Sequence, residues 1–75
     1  MEAYVLVLTE VGTGSTVSQE VGKVTGVSQA QLVTGPYDVI ARAEAKDMPA
    51  LSALVDEIQK IPGVTRTLTC PILKL

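Results

Sequence analysis

The segment Lys23-Val24-Thr25-Gly26-Val27 returns 37 residues later as Lys60-Ile61-Pro62-Gly63-Val64. In a chain of 75 residues that offset is half the length, so one plan is used twice. In each copy a Gly-Val step carries the chain from the end of a helix into a strand. Two short βαβ units have few ways to close. Right-handed crossovers place both helices on one face of a shared sheet. The expected fold is α+β and ferredoxin-like: βαββαβ, a four-stranded antiparallel sheet with two helices on one face, in a single domain over residues 1–75.

Local patterns fill in the elements. Residues 3–9, Ala-Tyr-Val-Leu-Val-Leu-Thr, have the branched and aromatic composition of a strand. Ser15 or Thr16 is the expected N-cap of the first helix, and Thr16 with Gln19 fits a capping box. Val17, Val21 and Val24 give that helix a narrow apolar stripe, and Gly26 is the expected left-handed residue after its end. Val27–Thr34 and Val39–Ala45 read as strands joined by the turn Gly35-Pro36-Tyr37-Asp38. Asp47 caps a second helix over 48–61, with Pro49 in its first turn. Met48, Leu51, Leu54, Val55, Ile58 and Ile61 form its apolar face, while Asp56, Glu57 and Lys60 face solvent. Pro62-Gly63 ends it, and Val64 to about Ile72 is the last strand.

The first strand is apolar on both alternating faces: Ala3, Val5 and Val7 on one, Tyr4, Leu6 and Leu8 on the other. A strand buried on one side should alternate apolar with polar. Two helices cover one face only. With Leu6, Leu8, Leu32 or Ile40 on it, the other face is an exposed apolar patch unless a second subunit covers it. Small size points the same way. A domain of about 60 residues is marginal alone, and association is the remedy left when disulfides and metal are absent. A dimer through the open face is the expectation.

Composition narrows the chemistry. There are six Lys or Arg against eight Asp or Glu, which argues against direct contact with nucleic acid. Histidine is absent, so no imidazole base or ligand exists. No metal or cofactor is expected. The single cysteine, Cys70, has no intrachain disulfide partner and no histidine to activate it. It reads as a small apolar residue near a strand end, in a cytoplasmic protein. No apolar run approaches membrane-spanning length. Gly12-x-Gly14 lacks the fuller glycine spacing and the lysine of a phosphate loop. Arg42 and Glu44 share a face of the third strand; Arg66 and Arg42 are anion-binding candidates, and salt bridges within an oligomer interface are the plainer and better explanation.

Gly35-x-Tyr37-Asp38 between strands, Asp47-Met48 opening a helix, Ile61-Pro62-Gly63-Val64 and Thr67-x-Thr69 occur in this order over nearly the whole chain. Together they resemble the effector-binding (RAM) domain of the Lrp/AsnC transcriptional regulators. The resemblance implies a ferredoxin-like fold, a dimer through the sheet face, and assembly of dimers into an octamer or decamer. It also implies an amino acid or related metabolite bound between dimers, and it allows co-assembly with full-length regulators. The first strand begins close to residue 1, so the chain is similar to the stand-alone members that lack a helix-turn-helix domain, or else to a truncated piece of a longer regulator.

Candidate ligand-binding residues follow. Backbone N–H groups of the turn Gly35-Pro36-Tyr37-Asp38 can hold an α-carboxylate. Asp38 can accept hydrogen bonds from an α-ammonium, and Tyr37 can wall a side-chain pocket. The plainer alternative is a hairpin whose Asp38 bonds nearby backbone. Thr67 and Thr69 share one sheet face at period-two spacing, where hydroxyls can meet a ligand or merely satisfy strand propensity. Leu32, Met48, Cys70 and Ile72 occupy positions matching the family's responsive region, and Leu32 completes the candidate set. The competing functions are a pure oligomerisation partner and a small dimeric enzyme using Asp38 or Glu44 as base.

Overall fold

The computed structural model describes residues 1–75. Its elements run β1 (Glu2–Thr9), α1 (Gly14–Gly22), β2 (Val27–Leu32), β3 (Val39–Glu44), α2 (Met48–Gln59) and β4 (Val64–Pro71). The strands form one antiparallel sheet in the order β2-β3-β1-β4, the ferredoxin-like arrangement. No helix is long and apolar enough to cross a membrane.

The core lies between the sheet and the two helices. Ala3, Val5 and Val7 of β1 and Val39, Ala41 and Ala43 of β3 are fully buried against Val17 and Val21 of α1 and Leu51, Leu54 and Ile58 of α2. These positions recur every two residues in the strands and every three to four in the helices, so the period of each element matches its buried side.

The internal repeat is structural. After α1, the Val27 N–H donates to the Val24 carbonyl; after α2, the Val64 N–H donates to the Ile61 carbonyl. Gly26 and Gly63 both sit at φ +98°, a conformation that favours glycine. Each also leaves no room for a Cβ. One on Gly26 would lie 2.6 Å from Leu54 Cδ1, and one on Gly63 would lie 3.0 Å from Val17 Cγ2. Val17 and Leu54 are themselves 37 positions apart. Each repeat's glycine therefore presses on the same point of the other repeat's helix.

Four details differ from the sequence expectation. Helix α1 begins at Gly14, so Ser15 and Thr16 lie inside it and the capping box is not formed. The N-cap is Thr13, whose hydroxyl donates to the Glu10 carbonyl at 2.7 Å and caps nothing in the helix. Gly26 follows the C-cap Lys23 by three residues and turns the chain into β2, so it is not the residue that ends the helix. Strand β2 stops at Leu32. Leu32 pairs with Val39 and so points to the helix side, not to the open face with Ile40. A bulge between Val27 and Gln29 changes the parity of β2 and accounts for the altered side.

The open face has two parts. Leu6 lies opposite both Ile40 and Leu68, making an apolar row across three strands, with Leu8 beside it. The next row is polar. Arg42 donates to Glu2 Oε1 at 2.6 Å and to the Tyr4 hydroxyl at 3.1 Å, with its guanidinium 5.6 Å from the Tyr4 ring centroid. Thus Arg42 has its carboxylate partner, Glu2, within its own chain. Cys70 is exposed, opposite Tyr4.

Candidate functional site

Two places carry the candidate residues. The first is the connection between β2 and β3. Gly35 has φ +130°, which frees the chain to turn before Pro36. The loop is closed by the Val33 N–H donating to the Asp38 carbonyl at 2.9 Å, and the Asp38 N–H donates to the Val7 carbonyl at 3.0 Å. Asp38 Oδ2 accepts from the Thr9 N–H at 2.8 Å and from the Thr9 hydroxyl at 3.1 Å. One carboxylate oxygen of Asp38 thus ties the end of β1, and Oδ1 is left for another donor. Tyr37 is half-buried beside it.

The second place is the joint between α2 and the edge strand β4. Thr67 and Thr69 pair with Val7 and Val5, so both hydroxyls lie on the helix side. Thr67 Oγ1 accepts from Gln59 Nε2 at 2.8 Å, which leaves Thr69 as the free hydroxyl of the pair. Thr69 lines a crevice of ≈180 Å³ with Met48, Leu51, Ser52, Val55 and Asp56. Ser52 and Asp56 are exposed residues of α2. The crevice combines a carboxylate, two hydroxyls and an aliphatic and thioether wall. That set matches the parts of an α-amino acid: a carboxylate for the ammonium, hydroxyl donors for the carboxylate, and apolar surface for the side chain.

The helix pattern places Asp56 only on the solvated side of α2 and does not single out Ser52. A signal was present: Met48, Ser52 and Asp56 recur at four-residue spacing, a single stripe beside the buried one.

Within one chain the two places are separate. The turn 35–38 leads from the edge strand β2 into β3, whereas Thr69 lies on the opposite edge, with β1 between β3 and β4. Leu32 flanks the turn, pairing with Val39, but its side chain packs over Gly14 at the start of α1. Asp38 is committed to Thr9, and the crevice beside Thr69 presents one carboxylate, Asp56, with two hydroxyls and an apolar wall.

The sheet with two helices on one face is a ferredoxin-like module, a fold that hosts many functions, so the class of protein is decided by family. The Lrp/AsnC ligand binding domain model matches residues 2–75, and the chain belongs to that family. Among solved structures it is similar to TTHA0845 of Thermus thermophilus, with TM-score 0.91 and 27% identity over 99% of this chain and 94% of that one. It is also similar to the transcriptional regulator NMB0573 of Neisseria meningitidis, solved as an L-Met complex. There the TM-score is 0.82 at 25% identity, over 97% of this chain and 49% of that one. A curated relative, homocitrate synthase of Sulfurisphaera tokodaii, is 32% identical over 75 residues. The chain spans 16% of that enzyme's length.

Proposed function

We propose that the chain is a non-catalytic regulatory module that binds an amino acid or related small metabolite and changes assembly state in response. The observation that carries this is the crevice beside Thr69, where Asp56, Ser52, Thr69 and an apolar wall of Met48 and Val55 offer the three contacts an α-amino acid needs. The relative solved with L-Met supports the ligand class. The open face, with its Leu6–Ile40–Leu68 row, is taken up by a second copy. Such dimers meet so that the turn 35–38 of one adds Asp38 Oδ1 and backbone donors to the crevice of another. The separation of the two places within one chain supports a site completed between dimers. For assembly to respond, the ligand must favour one assembly over another.

Thermal unfolding against the twenty amino acids tests this. A ligand at about a hundredfold excess over Kd stabilises by ~2.7 kcal/mol, a shift on the order of 10 °C for a domain this size. Asp38→Asn keeps an acceptor for Thr9 but loses the charge. It should weaken the shift while light scattering still reports the dimer. A flat response across all twenty with intact oligomers favours a pure oligomerisation partner of full-length regulators. A lone monomer at micromolar concentration removes the open-face dimer.

The homocitrate synthase match favours a second reading, in which the module senses an amino acid on behalf of a biosynthetic enzyme rather than a DNA-binding domain. A ligand that shifts the isolated module, yet alters no DNA-bound complex of a co-assembled regulator, fits that reading.

A further inference from the structure

We infer, on the strength of the ligand reading above, that the bound amino acid lies along α2 with its charged head toward Gln59 and its side chain toward Met48. The ligand class is then amino acids with an apolar side chain, and Met48 sets the length accepted. At 3.6 residues per turn, Met48 and Gln59 fall on one line along the helix. Leu51 and Val55 lie to the buried side of that line, and Ser52 and Asp56 to the exposed side. The crevice beside Thr69 is therefore a trough that follows the helix axis, with β4 as its other bank.

The two ends of the trough differ. At one end Gln59 Nε2 donates to Thr67 Oγ1 at 2.8 Å, and the pair shuts the gap between helix and strand. Asp56 stands three residues before Gln59, about 4.5 Å along the axis, so a fixed carboxylate and an amide lie close together. That amide keeps a second N–H and its carbonyl oxygen for a ligand. At the other end stands Met48, eight residues and about 12 Å from Asp56. It is 49% exposed, and its thioether is unbranched and adaptable. One end is polar and held; the other is apolar and yields.

The reverse orientation meets an obstacle. A helix N-terminus attracts a carboxylate, and α2 begins at Met48. That place is already taken: Asp47 accepts from the Ala50 N–H at 2.9 Å, and a ligand carboxylate there would face a second negative charge. Between Asp56 and Met48 the trough is walled by Leu51 and Val55, and its one hydroxyl on the helix side is Ser52. This stretch can bury carbon and has no charge to offer a charged side chain.

A straight-chain series measures the trough: alanine, norvaline, norleucine and 2-aminooctanoate, with dissociation constants from calorimetry. On the intact chain affinity should rise about fourfold per methylene buried, until Met48 is reached, and then fall. Met48→Ala removes the thioether from that end and should move the optimum to longer chains. Gln59→Ala opens the opposite end; it should weaken every member by a similar factor and leave the optimum in place. Both substitutions fall at exposed positions of α2, so the fold is kept. Lysine, which carries an ammonium into the apolar end, should bind about tenfold more weakly than norleucine. An optimum that moves in Gln59→Ala, or stays in place in Met48→Ala, overturns the orientation. Affinity that never falls along the series overturns the length limit, and lysine equal to norleucine overturns the ligand class. If no member of the series binds the intact chain, the ligand reading fails and the orientation with it. Binding with an unmoved optimum leaves that reading standing and removes the orientation alone.

Discussion

The first half of the chain, β1-α1-β2, and the second, β3-α2-β4, share a plan and differ in how the joint between helix and edge strand is filled. From the helix through the following strand the 37-residue offset holds position by position. Leu51, Leu54 and Ile58 of α2 stand where α1 has Gly14, Val17 and Val21. Thr69 stands where β2 has Leu32, and Gln59 and Thr67 stand where the first half has Gly22 and Ala30. In the first half small residues bring α1 down onto the strand. A Cβ on Gly14 would lie 2.9 Å from Leu32 Cδ1, and one on Gly22 would lie 3.8 Å from Ala30. In the second half the pair at the end of the joint is a Gln59–Thr67 hydrogen bond, and a crevice opens beside Thr69. A repeated fold offers two equivalent joints. One is plugged with a leucine, and the other is left polar and open, which is where a ligand can be held.

The largest effect expected is in the core. Ile58 and Val21 are equivalent and both fully buried. Ile58→Ala should destabilise by about 2–5 kcal/mol in urea unfolding. Val21→Ala should cost less, because two carbons are removed rather than three and α1 lies close enough to the sheet to settle into the space. Equal costs would show that the halves are packed alike.

Next is the joint itself. Thr69→Leu installs the plug of the first half in the crevice of the second. The chain should fold and dimerise as before, and the ligand-induced shift, about 2.7 kcal/mol at a hundredfold excess, should be lost. Leu32→Ser, at the equivalent place, should leave that shift intact. A ligand response that survives Thr69→Leu would place the site elsewhere.

How far the sequence reveals this molecule depends on how local the physics is. Helix α2 is legible almost to its ends, expected over 48–61 and found over Met48–Gln59, because Asp47 caps it, Pro49 opens it and a broad apolar stripe runs its length. Helix α1 is legible in its stripe but not in its start. Thr13 spends its hydroxyl on the Glu10 carbonyl, so the hydroxyl that begins the helix does not cap it. Leu32 was expected among the open-face candidates because the strand pattern carries no mark of the bulge at Val27/Gln29 that changes its side. The turn 35–38 was legible as a turn, and the plainer role of Asp38 as a backbone acceptor is seen at Thr9. The crevice was legible only through Thr69. Ser52 and Asp56 belong to it because β4 runs under their side of α2, a tertiary fact that no helix pattern contains.

A smaller contrast lies at the two glycine turns. Gly26→Ala and Gly63→Ala both force a side chain onto φ +98°, and each should cost roughly 1–3 kcal/mol. Gly26 should be the worse. Its Cβ would meet the Glu44 carbonyl at 2.9 Å as well as Leu54, and that backbone is fixed by the Glu44 N–H donating to the Gly26 carbonyl at 2.8 Å. The neighbours of Gly63 are the side chains of Thr13 and Val17, and the Thr13 hydroxyl can rotate away. Thermal unfolding of the two variants, run side by side, ranks them.

The smallest effect separates the helix starts. Asp47 accepts from the Ala50 N–H at 2.9 Å, a true side-chain cap. Its removal in Asp47→Ala should cost about 1 kcal/mol. Thr13 makes no such bond to α1, so Thr13→Ala should cost only what the exposed hydroxyl bond to Glu10 contributes, about 0.5 kcal/mol or less. Thr13→Ala also removes the hydroxyl that crowds Gly63. In a Gly63→Ala background it should therefore recover part of the lost stability, a coupling that Asp47→Ala cannot show. If the two substitutions cost the same and neither couples to Gly63, the first helix is capped in solution after all, and the two halves begin their helices in the same way.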